Sequence, residues 1–368
     1  MIYKLILAAD LGASLTKCFY YWMEKDKAAP VKHKTFCSAV KRITSAQYEL
    51  KVNADSNTSL LSIDGEYWAV GENAREAVTN VNLRVPKFRN AIAKVLSLVG
   101  QIVAQHIPVD SAAELIVEVG VLLPFNEMGD AIELSNRLRK MLYDFGHNGH
   151  QIKFKMVHDV QVSPEGYGIS RLAKMYPSGV AMFGHKDFTW AHVTEETISI
   201  SDSRALTGWG MLRLVKAISY TFVDELWAAA AICAAGEGMS DKALLTVVPP
   251  NDLARVKLEI PEARALVWSQ LWDELSVSSI QRAEQVFAAG GNAVYWRPEL
   301  RQALGPKLSM GGELINEIKE RVPELVKSPH LYRLADCYGF FKTLEPEQDR
   351  SANPLSVVLG GIKDERKV

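Results

Sequence analysis

The sequence has no excess of either charge, no paired cysteines and no apolar run long enough to cross a membrane. Its 42 Lys and Arg stand against 43 Asp and Glu, a formal net charge of −1. That balance argues against a broad surface for nucleic acid or for an anionic membrane, and leaves room for a local patch; no direct nucleic-acid binding is expected. The four cysteines, Cys18, Cys37, Cys233 and Cys337, are far apart and form no CxxC pair. A ribbon or finger-type zinc site is thereby excluded, and reduced, buried thiols in a cytoplasmic compartment are expected. The longest later apolar run, Leu226 to Ala235, has ten residues, about half of the ~20 that a membrane span needs. The N-terminal apolar run meets Asp10 too early for a signal peptide. There is no Walker A sequence and no HExxH, and Gly208-Trp209-Gly210 lacks the third glycine of a Rossmann fingerprint. His147 and His150 have no nearby carboxylate or cysteine to complete a metal site and read as a polar turn.

What is present is an ordinary globular composition, 48% hydrophobic and 23% charged over 368 residues. That length suggests two or three domains, or one large split fold. Residues 5–9 and 18–22 read as two strands joined by a tight turn. Asp64-Gly65 marks a hairpin, and residues 88–106 carry apolar side chains at helical spacing. Leu115 to Leu123 reads as a buried strand, residues 130–145 as a helix and 151–162 as a strand. Ser163 reads as the N-cap of a helix running to Met175, with Pro164 in its first turn. The pattern then restarts. Residues 179–183 and 188–193 form a second strand–turn–strand, residues 211–235 and 262–280 read as helices, and 285–288 as a strand entering Gly290-Gly291. Trp268 and Trp272, four apart, read as core.

Three glycine turns carry the chemistry. In Asp10-Leu11-Gly12-Ala13-Ser14-Leu15-Thr16-Lys17, Gly12 lets the backbone approach an anion and successive N–H groups form a concavity for it. Ser14 adds a hydroxyl, Lys17 a charge, and Asp10 can hold a hydrated Mg²⁺. The same residues also suit a plain hairpin turn. Gly184-His185-Lys186-Asp187 is either an opposing phosphate turn or a structural one, and Gly290-Gly291 suits close approach of a sugar or base.

Taken in order, these segments resemble the actin-like ATPases, in particular the ParM-like plasmid-segregation and archaeal actin-like branch. Asp10 to Lys17 is similar to the first phosphate motif, and Tyr67 to Ala74 to a segment of the small subdomain. Ser163-Pro164-Glu165-Gly166 resembles the entry to the inter-lobe helix, and Phe287 to Ala293 the adenosine motif. One departure stands out: Met182 occupies the position where the second phosphate motif usually has an acid, and a thioether is a poor Mg²⁺ ligand. Asp187 either supplies the missing carboxylate, or hydrolysis is slow or lost.

The resemblance implies an α/β fold of two ribonuclease-H-like lobes with a nucleotide cleft between them. The lobes would span residues 1–170 and 171–345, with small subdomains inserted at about 30–85 and 220–280, and a tail at 346–368. It implies ATP or GTP with Mg²⁺. Gly12, Ala13, Ser14 and Lys17 would bind the phosphates, with Gly184 and His185 donating from the second turn. Gly290 and Gly291 would bound the nucleoside, Asp10 would hold Mg²⁺ through water, and Glu165 would orient the attacking water. Glu165 also suits a plain helix start. The implied function is a cytoplasmic filament that segregates plasmid DNA or positions cargo through a DNA-binding adaptor protein. A small-molecule kinase and a non-polymerising nucleotide switch are the alternatives on the same fold.

Overall fold

The strand–turn–strand that opens each half of the sequence is the start of the same sheet built twice. The computed structural model describes residues 2–24, 30–51, 59–75, 85–107, 113–195, 197–276, 279–328 and 330–345; the expected tail lies outside them. In chain order the strands are β1 (Ile2–Leu11), β2 (Leu15–Glu24), β3 (Lys32–Cys37), β4 (Val40–Ile43), β5 (Ser59–Ile63), β6 (Glu66–Val70), β7 (Glu114–Leu123) and β8 (Asp144–His147). They continue with β9 (His150–Lys153), β10 (Met156–Pro164), β11 (Ser178–Phe183), β12 (Phe188–Val193), β13 (Ile198–Leu206), β14 (Gln285–Ala289) and β15 (Leu308–Ser309). The first sheet is ordered β3-β2-β1-β7-β10 and the second β13-β12-β11-β14-β15. In each, the opening three strands pair antiparallel and the last two join in parallel. A third sheet, β4-β6-β5-β8-β9, combines the 40–70 region with the hairpin at 144–153.

Strand periodicity explains how the layers join, because alternate side chains leave opposite faces. Leu5, Leu7, Ala9 and Leu11 of β1 enter a core with the helix Lys87–His106. Ile6 and Ala8 enter a second core, shared with Val180 and Met182 of β11, Phe287 of β14 and the helix Leu331–Leu344. Ala181 and Phe183 face a third core built on the helices of the second half. The middle core thus belongs to both large sheets. Each fully buried Phe there contributes about 1.5–3 kcal/mol.

Several elements differ from the sequence reading. Ser163 and Pro164 do not start a helix. They stay in β10 because its parallel ladder with β7 continues to Pro164 opposite Leu123. Glu165 then occupies the turn, its N–H donating to the Leu123 carbonyl at 2.7 Å. Gly166, at φ +90°, precedes a single-turn helix, Tyr167–Ser170. The expected helix over 211–235 is two, Met211–Ala217 and Glu225–Ala235, because the Asp224 carboxylate caps the second by accepting from the N–H groups of Leu226 and Trp227. The helix expected from 262 begins at Pro250 and runs to Ser276, with Pro261 on its exposed side. The strand expected over 151–162 is divided between β9 and β10. The Asp64-Gly65 hairpin joins β5 and β6 with both residues at positive φ, 48° and 79°. Trp268 stacks on Trp272 and on Trp296 against the third core. Among the described residues no helix is long and apolar enough to cross a membrane.

Candidate functional site

The turn between β1 and β2 needs its glycine, since a Cβ on Gly12 would lie 2.7 Å from the Leu15 carbonyl oxygen. The turn between β11 and β12 repeats the device: a Cβ on Gly184 would lie 2.8 Å from the Asp187 carbonyl oxygen. After β14, Gly290 at φ +92° packs against Phe183, whose carbonyl oxygen a Cβ would meet at 2.6 Å. Asn292 ties this third turn to the second, its N–H donating to Phe183 O at 3.2 Å and its side-chain amide to Gly184 O at 2.9 Å.

All the residues selected from the sequence line one inner cavity of about 100 Å³. Asp10, Gly12, Ala13, Ser14 and Lys17 come from the first turn; Gly184, His185 and Asp187 come from the second; Gly290, Gly291 and Glu165 complete it. Ala13, Ser14, His185 and Arg333 also border an outer cavity of about 1090 Å³, the size range of ligand clefts. Tyr220, Phe222 and Trp227 give that outer space an aromatic wall.

The inner cavity is strongly charged. Asp10 and Lys17 face each other across the β1–β2 ladder and form a buried ion pair. Burial pushes the Asp10 carboxyl up, but Lys17 and Lys87 more than offset this and hold it below the usual range. The Lys17 ammonium also donates to Arg333 O at 3.2 Å, and Arg333 Nη2 donates to Ser14 Oγ at 2.8 Å. Glu165 is ion-paired with Lys87. Burial, aided by the Asp10 charge, still raises its carboxyl against the pull of Lys87. The Glu127 carboxylate accepts from the N–H groups of Lys87 at 3.0 Å and Phe88 at 2.7 Å, capping the helix Lys87–His106. His185 is held neutral: burial first, then Arg333 and Lys17, bring its pKa to about 4. Its buried Nδ1 has no partner among the described residues.

The two sheets place different chemistry at equivalent positions. Asp10 opposite Lys17 in the first becomes Met182 opposite Thr189 in the second. The Asp187 carboxylate accepts from the Gly208 N–H at 2.9 Å. Sequence reading missed Lys87, Lys94 and Arg333, which line the same cavity. Only Lys94 left a legible signal, as a lysine inside the apolar stripe of its helix. His147, read as part of a polar turn, ends β8 with Nε2 3.1 Å from Ser59 Oγ.

Residues 8–168 match the family model of actin-like proteins, N-terminal domain. No curated protein matches the sequence. Among solved structures, the archaeal actin homologue Ta0583 is similar at 14% identity, with 92% of this chain and 98% of that chain covered and a TM-score of 0.57. The Alp12 filament structure follows at 11% identity, 93% and 98% coverage and a TM-score of 0.54. Apo pSK41 ParM is similar at 14% identity, 93% and 98% coverage and a TM-score of 0.53. Residues 8–168 therefore match the N-terminal domain model of actin-like proteins, and the chain has the actin-like fold.

Proposed function

We propose that this protein binds a nucleotide in the cleft and uses it to assemble into filaments that segregate plasmid DNA or position cargo in the cytoplasm, through a separate DNA-binding adaptor. The observation that carries this reading is the convergence of three glycine turns on one charged cavity. The fit to a nucleotide is good. Gly12, Gly184 and Gly290 allow tight turns in which a Cβ would crowd the protein's own backbone, and His185, whose buried Nδ1 has no partner among the described residues, lines the cavity. Of the solved relatives, Ta0583 has been determined in complex with ADP (TM-score 0.52), and Alp12 as a filament.

In this reading the backbone N–H groups of Gly12, Ala13 and Ser14 and the Lys17 ammonium hold the β- and γ-phosphates of ATP or GTP. Gly184 and His185 oppose them, and Gly290-Gly291 bound the nucleoside. Asp10 fits a hydrated Mg²⁺, which needs only one or two carboxylates beside phosphate oxygens. When bound, that ion would neutralise phosphate charge. Glu165 orients the attacking water, and catalysis is otherwise positioning and charge stabilisation. The lobes divide near residue 170, with inserted subdomains near 30–85 and 220–280.

The test is sedimentation with and without ATP-Mg²⁺ at tens of micromolar (order of magnitude, for weak single contacts). Nucleotide can drive assembly only through different affinity for the free and assembled states. Nucleotide-dependent pelleting, lost in Asp10→Ala, is expected. A protein that binds ATP yet stays monomeric excludes the filament. Asp187→Asn keeps an acceptor for the Gly208 N–H and is expected to slow phosphate release while ATP still binds. Release at the parent rate would reduce Asp187 to a turn residue.

A further inference from the structure

The helix Lys87–His106 buries one ammonium, that of Lys94, with no carboxylate in an ion pair with it among the described residues. Lys94 is 3% exposed, and its buried neighbours on the helix are Ala91, Ala93, Val95 and Leu96. A charge placed there is strongly disfavoured unless it is paired. Its Nζ lies 3.4 Å from both Leu11 O and Gly12 O, beyond the usual range for such a bond. The carboxylates of the cavity are engaged elsewhere: Asp10 with Lys17, Glu165 with Lys87, Glu127 with the two N–H groups that start the helix, and Asp187 with the Gly208 N–H. The charged and titratable groups facing Lys94 are Lys87 on its own helix, Asp10 on β1, Cys37 at the end of β3 and Glu127 on the turn before the next helix. Burial and then Lys87 bring its pKa down to about 7. An anion entering the cavity would reverse that.

The two turns bring different cations to the cleft, Lys17 from the first ladder and Lys186 from the tip of the second turn. Where the first sheet sets Lys17 opposite Asp10, the second sets Thr189 opposite Met182, so that ladder position brings no ammonium to the cleft. We propose that Lys94 is a polyphosphate-binding residue, reaching from behind the first glycine turn to the phosphates of a nucleoside di- or triphosphate in the inner cavity. The inference rests on the nucleotide reading of the cleft and deepens it. Lys94 is the anion's own counter-charge, and the turn carbonyls only steer it while the cavity holds no phosphate.

The test compares the parent with Lys94→Met and Lys94→Arg by calorimetry, using ATP-Mg²⁺ and inorganic tripolyphosphate. Thermal unfolding without ligand is measured beside it. Lys94→Met is expected to weaken both ligands by about 10–100-fold, as loss of a charged hydrogen bond does, and Lys94→Arg to recover most of the affinity. Without ligand, Lys94→Met should unfold at or above the parent temperature, because a methionine suits the apolar stripe. If Lys94→Met does not fold, Lys94→Gln gives the same readout. Parent-like affinity in the neutral variant overturns the proposal. So does a fall in ligand-free unfolding temperature shared by Met and Arg variants, which makes Lys94 a structural anchor. A parent protein that binds no nucleotide at all overturns the reading of the cleft itself.

Discussion

Glu165→Gln is expected to lower phosphate release by about 10²–10⁴-fold, the usual contribution of a positioned acid–base group, while leaving ATP affinity nearly unchanged. The turn after β10 fixes this side chain through the Glu165 N–H to Leu123 O, and Lys87 holds its carboxylate. Glutamine keeps the shape and an oxygen for Lys87 but cannot draw a proton from water. The effect therefore belongs in rate rather than in binding. If the protein assembles as proposed, filaments of the variant should form with ATP and persist. Because the substitution removes the ion-pair partner of Lys87, the double variant Lys87→Met/Glu165→Gln separates chemistry from stability. A parent-like rate of phosphate release would leave Glu165 as the partner of Lys87 and nothing more.

The second large effect is on stability. Gly168→Ala is expected to cost at least about 3 kcal/mol, the upper end for overpacking a well-fitted core. The one-turn helix Tyr167–Ser170 crosses Leu331–Leu344 at two glycines. A Cβ on Gly168 would lie 1.9 Å from Asp336 O and 2.4 Å from Phe340 N, and one on Gly339 2.4 Å from Gly168 O. These are backbone atoms and cannot swing away. The Asp336 carboxylate also accepts from the N–H groups of Gly166 at 2.8 Å and Ile169 at 3.1 Å, so any shift breaks a buried cap. Denaturant unfolding checks this against Gly129→Ala, where nothing lies within 4 Å and a change within about 0.5 kcal/mol is expected. Equal midpoints for the two variants would show that the helices can part without loss.

The site was legible where its chemistry is local in sequence. Gly12, Gly184 and Gly290 announce turns, and the residues beside them in the chain are beside them in space. Met182 was readable as a departure because its place is counted from Gly184. Arg333 and Lys87 were not, since nothing local distinguishes them from surface cations; only the packing of the helices Leu331–Leu344 and Lys87–His106 brings them to the turns. Helix boundaries failed for a related reason. Ser163-Pro164 has a good local start signal, but β10 stays in register with β7 through Pro164, and ladder pairing outweighs a cap worth about 1 kcal/mol. The fold class itself was readable through the resemblance that the ordered turns carry, and the strand–turn–strand that occurs twice in the sequence is matched by the doubled sheet order.

The middle core has a consequence for synthesis. The face of β1 that carries Ile6 and Ala8 is covered by the helix Leu331–Leu344, and Cys337 Sγ donates to the Ala8 carbonyl across 329 positions of chain. At about 5–20 residues per second, the ribosome needs roughly 15–65 s between making these two partners. For that time the nascent first sheet presents an uncovered apolar face. Chaperone dependence, and aggregation of chains stalled before position 331, should follow from when the last helix emerges rather than from any weakness of the finished fold.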